Sequence, residues 1–185
     1  MIYITSDPHF CHTRDFLYGP RGFNSADEMN EAIVERWNEV IKPEDDVYVL
    51  GDIMLNDNQR GIELLKSLKG KIHICIGNHD SGERIRLYKD CPNVVEVRDI
   101  IHLKYNGYTF YLSHYPTLTG NFDDGKPVNR IVWNLCGHSH TFDPFLHWGV
   151  GPIFHCEMDT NGCVPWKLDD IINLINKKWK EKNNG

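Results

Sequence analysis

The sequence contains no uninterrupted apolar run that approaches the roughly 20 residues needed for a membrane-spanning helix. No basic region or small-residue cleavage site follows Met1, which leads directly into an apolar segment at residues 2–4. Positive charge is scarce, since 20 lysines and arginines face 26 aspartates and glutamates, a formal net charge of -6. We therefore expect a cytoplasmic protein that has no membrane segment and no broad basic surface for long nucleic acids.

The sequence also has no C-x-x-C pair, internal repeat, low-complexity tract or domain linker. Two of its six cysteines, Cys75 and Cys136, lie inside apolar runs where a free thiol packs as a small hydrophobic group. Reduced, structural cysteines are therefore expected. With 41% hydrophobic and 25% charged residues, residues 1–185 are expected to fold as a single domain, active as a monomer or small homo-oligomer.

Five short apolar runs, rich in β-branched or aromatic residues and each ended by a polar cluster, are predicted strands. They are residues 2–4, 47–50, 72–76, 110–112 and 131–136. A helix capped by Ser25 and Glu28 is predicted between the first two, with Met29, Ile33, Trp37, Val40 and Ile41 on one face before Pro43. A second helix is predicted at about 58–68. This alternation of strands and helices predicts a parallel sheet in the first half.

The pattern changes after about residue 93. Runs at 94–97, 100–105 and 108–112 are predicted as consecutive strands, and Asn106-Gly107 between the last two is a strong hairpin signal. The second half is therefore expected to add antiparallel pairing. A further strand is predicted at 153–155 and a final amphipathic helix from 168.

Side chains able to bind a metal ion follow all five predicted strands. The clusters are Asp7-Pro8-His9, Gly51-Asp52, Gly77-Asn78-His79-Asp80, Ser113-His114 and Gly137-His138-Ser139-His140. Each cluster alone is typical of a turn or a core histidine. Because ligands of open α/β sheets bind at the carboxyl ends of the strands, the five together predict one metal site there.

In order and approximate spacing, these clusters resemble the calcineurin-like metallophosphoesterase superfamily. The opening Asp7-Pro8-His9-Phe10-Cys11-His12 is similar to that of its small, single-domain bacterial and phage members. The resemblance implies an α/β fold, a four-layer α/β/β/α sandwich with two mixed β-sheets. It also implies a binuclear metal centre.

Position by position, the resemblance assigns one metal to Asp7, His9, Asp52 and His140 and the second to Asp52, Asn78, His114 and His138. Asp52 would then bridge the two ions. Imidazoles combined with carboxylate and carboxamide oxygens favour divalent transition metals over calcium or magnesium. We expect two such ions, with manganese favoured and iron, nickel, cobalt or zinc as alternatives.

The mechanism that this implies is in-line attack of a metal-bridging hydroxide on a phosphate ester. The resemblance makes His79 the residue that protonates the departing alkoxide, and Asp80 is the candidate carboxylate that would support it. In the alternative interpretation, both residues simply finish a turn. His12 and Arg14 are candidate substrate-phosphate contacts, against the alternative of a surface role.

The predicted function is hydrolysis of a small phosphate ester, with a phosphodiesterase acting on small or nucleotide substrates favoured over a phosphomonoesterase. A nuclease for long nucleic acids is disfavoured by the acidic charge. A non-catalytic scaffold on the same fold is the competing class. Competent side chains at all seven ligand positions favour an enzyme. The segment 117–129 is predicted as a loop over the site.

Overall fold

The computed structural model describes residues 1–120 and 126–184, which form nine strands and five α-helices. The strands are β1 (Ile2–Thr5), β2 (Asp46–Val49), β3 (Lys71–Cys75), β4 (Val94–Arg98), β5 (Ile100–Tyr105), β6 (Tyr108–Ser113), β7 (Val132–Cys136), β8 (Ile153–His155) and β9 (Trp166–Lys167). The helices are α1 (Asp15–Tyr18), α2 (Ala26–Val40), α3 (Asn58–Ser67), α4 (Gly82–Lys89) and α5 (Leu168–Asn184). No helix within these ranges is long and apolar enough to cross a membrane.

The strands form two mixed sheets. The first has the order β4-β3-β2-β1-β9, in which β1 to β4 are parallel and β9 pairs antiparallel with β1. The second has the order β5-β6-β7-β8, in which β5 and β6 form an antiparallel hairpin and β6, β7 and β8 are parallel. The predicted α/β fold with two mixed sheets and packed helices is confirmed.

Strand β2 shows why the first sheet is buried on both faces. Successive side chains of a strand point to opposite faces, so Val47 and Val49 join a cluster with α2 residues such as Trp37. Tyr48 and Leu50 join the other cluster, which contains the inward residues of the second sheet and the apolar side of α5. A strand buried on both sides reads in sequence as a continuous apolar run, as this one does.

The sequence prediction was wrong about β4. It was expected in an antiparallel run with β5 and β6, but it pairs parallel with β3 as the last strand of the first sheet. The reason is helix α4, which sequence analysis did not predict and which supplies the crossover that a parallel connection needs. The chain then passes to the second sheet at Asp99.

The predicted start of α2 at Ser25 is confirmed, but the partner of the Glu28 carboxylate and the exposure of Val40 differ from the prediction. Ser25 Oγ accepts a hydrogen bond from the Glu28 N–H at 3.1 Å. The Glu28 carboxylate, however, accepts from the N–H of Asn24 at 2.8 Å, one residue before the cap. Val40 is the last residue of the helix and is exposed, whereas the following Ile41 is buried. The six cysteines are all free and buried, as expected.

Candidate metal centre

The candidate site lies where the carboxyl ends of five strands meet. Backbone hydrogen bonds tie the strand ends together: the Asp7 N–H donates to the Gly51 carbonyl at 3.1 Å, and the Gly137 N–H donates to the His114 carbonyl at 2.9 Å. The structure thus brings the five predicted clusters to one edge shared by both sheets.

The backbone at this edge is held in an unusual conformation. Five of the seven candidate ligands have left-handed φ angles: Asp7 (55°), His9 (49°), Asp52 (55°), His138 (75°) and His140 (47°). A non-glycine residue in this region costs roughly 1–3 kcal/mol and persists only where its surroundings impose it. Such a concentration of strain is typical of functional sites.

Two glycines allow the strand ends to approach. A Cβ atom on Gly77 would overlap Asp52 Oδ1, and one on Gly137 would overlap Ser6 Oγ and Asp7 Oδ2. Any larger residue at either position would push these carboxylates out of place. The glycines before Asn78 and His138 therefore have a steric role in the site.

We call Asp7, His9 and His140 the buried half of the site. His9 Nε2 lies 3.1 Å from His140 Nε2 and 3.5 Å from Asp7 Oδ1. His140 Nε2 lies 3.8 Å from the same Asp7 oxygen. Three potential ligand atoms therefore surround one point, and Asp7 and His9 are almost completely buried.

We call Asn78, His114 and His138 the open half. Asn78 Oδ1 lies 2.7 Å from His114 Nε2 and 2.9 Å from His138 Nδ1. His114 is buried, whereas Asn78 and His138 are exposed. The His114 Nδ1–H donates to the Leu50 carbonyl at 2.8 Å, so in the neutral ring Nε2 carries a lone pair that faces another acceptor. A cation between the two atoms would resolve this conflict.

Asp52 lies between the two halves. Its Oδ2 is 3.7 Å from His9 Nε2 and 3.5 Å from His114 Nε2, one histidine of each half. Its Oδ1 accepts from the His79 N–H at 2.8 Å, which fixes the carboxylate. This is the position that a shared ligand requires.

The buried carboxylates of Asp7 and Asp52 lie close together, and their pKa values shift in opposite directions. Burial opposes ionisation of Asp7, but the neighbouring His9 and His140 hold the pKa of Asp7 well below its ordinary value. Burial raises the pKa of Asp52, an effect that His114 offsets in part and the Asp7 charge reinforces. The pair is best accommodated by additional positive charge.

The residues present fit a pair of divalent ions. Asp7 Oδ1, which faces the Nε2 atoms of His9 and His140, is buried with no hydrogen-bond partner in the described residues. An unpartnered buried carboxylate oxygen is costly unless it serves another purpose. Asp7, His9 and His140 form one group of closely spaced ligand atoms, and Asp7, Asp52 and His114 form another. Imidazole-rich sets of this kind suit manganese, iron, cobalt, nickel or zinc.

The neighbouring residues His79 and Asp80 have different surroundings. The His79 ring is about half exposed, and its Nε2 is 3.9 Å from Asp52 Oδ2. The Asp80 carboxylate accepts hydrogen bonds from the backbone N–H groups of Gly77, Asp52 and Ile53 and from the hydroxyl of Tyr88. These hydrogen bonds engage both Asp80 oxygens and connect the loops that follow β2 and β3. They do not favour the prediction that Asp80 supports the His79 ring, which stays a prediction.

His12 and Arg14 lie beside the buried half. The His12 ring packs edge-on against the rings of His9 and Phe16, with ring centroids 5.5 and 5.4 Å apart. Burial and the nearby His9 lower the pKa of His12 to about 4, so its Nδ1 can accept the 3.3 Å hydrogen bond from the Arg14 N–H. The Arg14 side chain is exposed and borders a groove with Phe16.

The structure adds residues that sequence analysis missed. Asp159 is bound by both arms of Arg21 at 2.7 and 3.0 Å, and Glu157 accepts from the Ser139 N–H at 3.0 Å. Both carboxylates follow β8, which is parallel to β7. The strand-end rule that identified the other clusters therefore applied here as well, to the sequence Cys156-Glu157-Met158-Asp159.

The predicted loop at 117–129 is described only in part, because residues 121–125 lie outside the described residues. The Thr117 N–H donates to the Asn134 side chain at 2.8 Å, and the Thr119 hydroxyl donates to the Val132 carbonyl at 2.8 Å. Val132 begins β7, at the end opposite the site. The described start of this loop therefore leads away from the metal centre.

Comparison with known proteins agrees with this geometry. The family model of the calcineurin-like phosphoesterase superfamily domain matches residues 1–151. The uncharacterized protein MJ1445 of Methanocaldococcus jannaschii is 34% identical over 95% of this chain and 92% of its own length. The Gene 66 protein of Mycobacterium phage L5 is 23% identical over 97% of this chain and 96% of its own. A solved structure of the Aquifex aeolicus protein AQ665, of unknown function, covers 94% of this chain and 98% of that chain with a TM-score of 0.71 and 23% identity, a likeness that shows the fold.

Proposed function

The chain belongs to the calcineurin-like phosphoesterase superfamily, and from that premise we propose that it is a binuclear metal-dependent phosphodiesterase for small phosphate esters. The observation that carries the proposal is the position of Asp52, whose Oδ2 lies within 3.7 Å of a histidine nitrogen from each half. One ion would be held by the buried half and one by the open half, with Asp52 shared. Bound there, the ions would supply an activated water at neutral pH and compensate charge on the phosphoryl oxygens.

The protein's own groups then orient the ester and move one proton. We assign His79 to protonating the leaving oxygen, because its imidazole is exposed at the mouth of the site next to Asp52. We assign Arg14 to attracting the phosphate, because its backbone N–H is held by the His12 ring beside the buried half. Asp80 serves to position the backbone of the site, because its carboxylate accepts hydrogen bonds from the N–H groups of Gly77 and Asp52.

A diester is favoured by two exposed aromatic rings, one beside each half. Phe16 is 69% exposed and contacts His12 next to the buried half. Tyr115 is 51% exposed, and its ring centroid lies 4.7 Å from that of His138 in the open half. A phosphate at the ions with a substituent on each side could place a planar group, such as a nucleobase, against either ring.

The test compares hydrolysis of bis-p-nitrophenyl phosphate and p-nitrophenyl phosphate by the full chain with added Mn²⁺. A 2′,3′-cyclic nucleotide and a linear dinucleotide are assayed alongside them. We expect turnover that EDTA abolishes and that is faster with the diester. Faster hydrolysis of the monoester would instead identify a phosphomonoesterase. Bound Mn²⁺ with no turnover of any ester would favour a non-catalytic scaffold, and failure to bind Mn²⁺ would reject the proposal.

A further inference from the structure

The segment that follows β8 contributes to the metal centre, although it lies beyond the residues that the family model matches. The matched region ends at residue 151, whereas Glu157 and Asp159 are both buried against the loop that carries His138 and His140. Their contacts connect this segment to the candidate ligands of the buried half.

Asp159 forms a buried ion pair with Arg21. The Arg21 Nε–H donates to Asp159 Oδ1 at 3.0 Å and the Nη2–H donates to Oδ2 at 2.7 Å, which is a two-pronged geometry. The same Nη2 donates to the Asp7 carbonyl at 2.9 Å. One guanidinium group therefore fixes both Asp159 and the backbone of a ligand in the buried half.

Asp159 also faces the outer nitrogen of His140. Its Oδ2 lies 3.5 Å from His140 Nδ1, a buried atom that has no hydrogen-bond partner in the described residues. The other nitrogen, Nε2, faces the opposite way, toward His9 and Asp7. A proton on Nδ1, held toward Asp159, leaves the lone pair of Nε2 directed into the buried half.

Glu157 holds the same loop through its backbone. Its Oε1 accepts from the N–H of Ser139, the residue between His138 and His140, and also lies 3.0 Å from Nδ1 of the buried His155. Glu157 and Asp159 therefore fix the main chain and the imidazole of one short loop. The corresponding support for His114 in the open half is a neutral carbonyl, that of Leu50.

We propose that Asp159, clamped by Arg21, is a positioning residue that orients His140 and raises the affinity of the buried half for a divalent cation. This inference rests on the metal pair of the proposed function. A carboxylate on the outer nitrogen of a ligating histidine fixes its tautomer and increases its basicity, and removing such a partner typically costs 10–100-fold in metal affinity.

The test measures Mn²⁺ binding to the full chain by equilibrium dialysis with elemental analysis. We expect two ions per wild-type chain and, in Asp159→Asn, one ion bound about 10–100-fold more weakly while the other is unchanged. Asp46→Asn is the matched control, since Asp46 also pairs with a histidine, His73, at 3.1 Å but at the start of β2, the end away from the site. The control should bind both ions as the wild type does.

Asp159→Asn leaves the buried Arg21 without its carboxylate partner, so folding is measured separately by thermal unfolding in EDTA. The double variant Arg21→Gln/Asp159→Asn removes both charges together and should show the same selective loss of one ion. Two ions bound with wild-type affinities in a folded variant would overturn the inference. A wild-type chain that binds no Mn²⁺ would instead reject the proposed function.

Discussion

The two halves of the candidate metal centre differ in burial, charge and support. The buried half combines Asp7 with two histidines, and its surroundings include the Arg21–Asp159 ion pair. The open half has a carboxamide where the other has a carboxylate, and two of its three side chains are exposed. Under the proposed function, the first half would retain one ion, whereas the second would leave room for an ester to reach the other ion.

Removing the shared ligand should abolish the distinction between the halves. In Asp52→Asn we expect kcat/KM to fall by more than about 10³-fold and Mn²⁺ to bind weakly at both positions, because the bridging charge is lost. Asparagine tolerates the left-handed backbone at this position, so the fold should persist. Asp46→Asn serves as the control. Two ions per chain bound with wild-type affinity in Asp52→Asn would contradict the bridging role.

Substitution of His79 tests the proposed proton transfer to the leaving oxygen without changing the candidate ligands of either half. We expect His79→Ala to bind both Mn²⁺ ions as the wild type does while kcat falls by about 100-fold, the usual contribution of a general acid. His102→Ala, an exposed histidine on β5, should leave kcat unchanged. Stopped-flow or steady-state assays with bis-p-nitrophenyl phosphate measure the effect, and an unchanged rate would reduce His79 to a turn residue.

The same substitution in His138 and His140, one histidine from each half, compares the two halves directly. His140→Asn and His138→Asn both place asparagine at a positive φ, where it is tolerated. We expect His140→Asn to weaken Mn²⁺ binding mainly at the buried half and His138→Asn mainly at the open half, because each variant removes a candidate ligand of one half only. Equilibrium dialysis distinguishes them. Equal losses from a single class of site would show that the halves do not differ.

Much of the fold could be predicted from the sequence because buried strands and capped helices leave strong local signals. The continuous apolar run at β2 and the Ser25 cap of α2 are examples. Helix α4 was missed because it is only eight residues long, half of them are charged, and Tyr88 is its one buried side chain. Without α4, the parallel pairing of β4 could not be inferred.

The candidate site was predictable to the extent that its residues follow strands directly. Asp7, Asn78 and His114 are found by that rule, and the structure brings them together. The contacts of Asp80 could not be read from sequence neighbours, because adjacency to His79 says nothing about where a carboxylate points. Arg21 lies in a Gly-Pro loop with no local sign that it is buried against Asp159.

The left-handed backbone at the ligand positions has a consequence for how this protein would respond to selection or engineering. Glycine adopts such angles without strain, so replacing a ligand such as His9 by glycine relieves a local conformational cost while it removes a metal ligand. Selection for heat resistance alone would therefore give these strained residues no advantage, whereas selection for metal binding would retain them. Screening for heat resistance and phosphate-ester hydrolysis together would retain the candidate ligands under the proposed function.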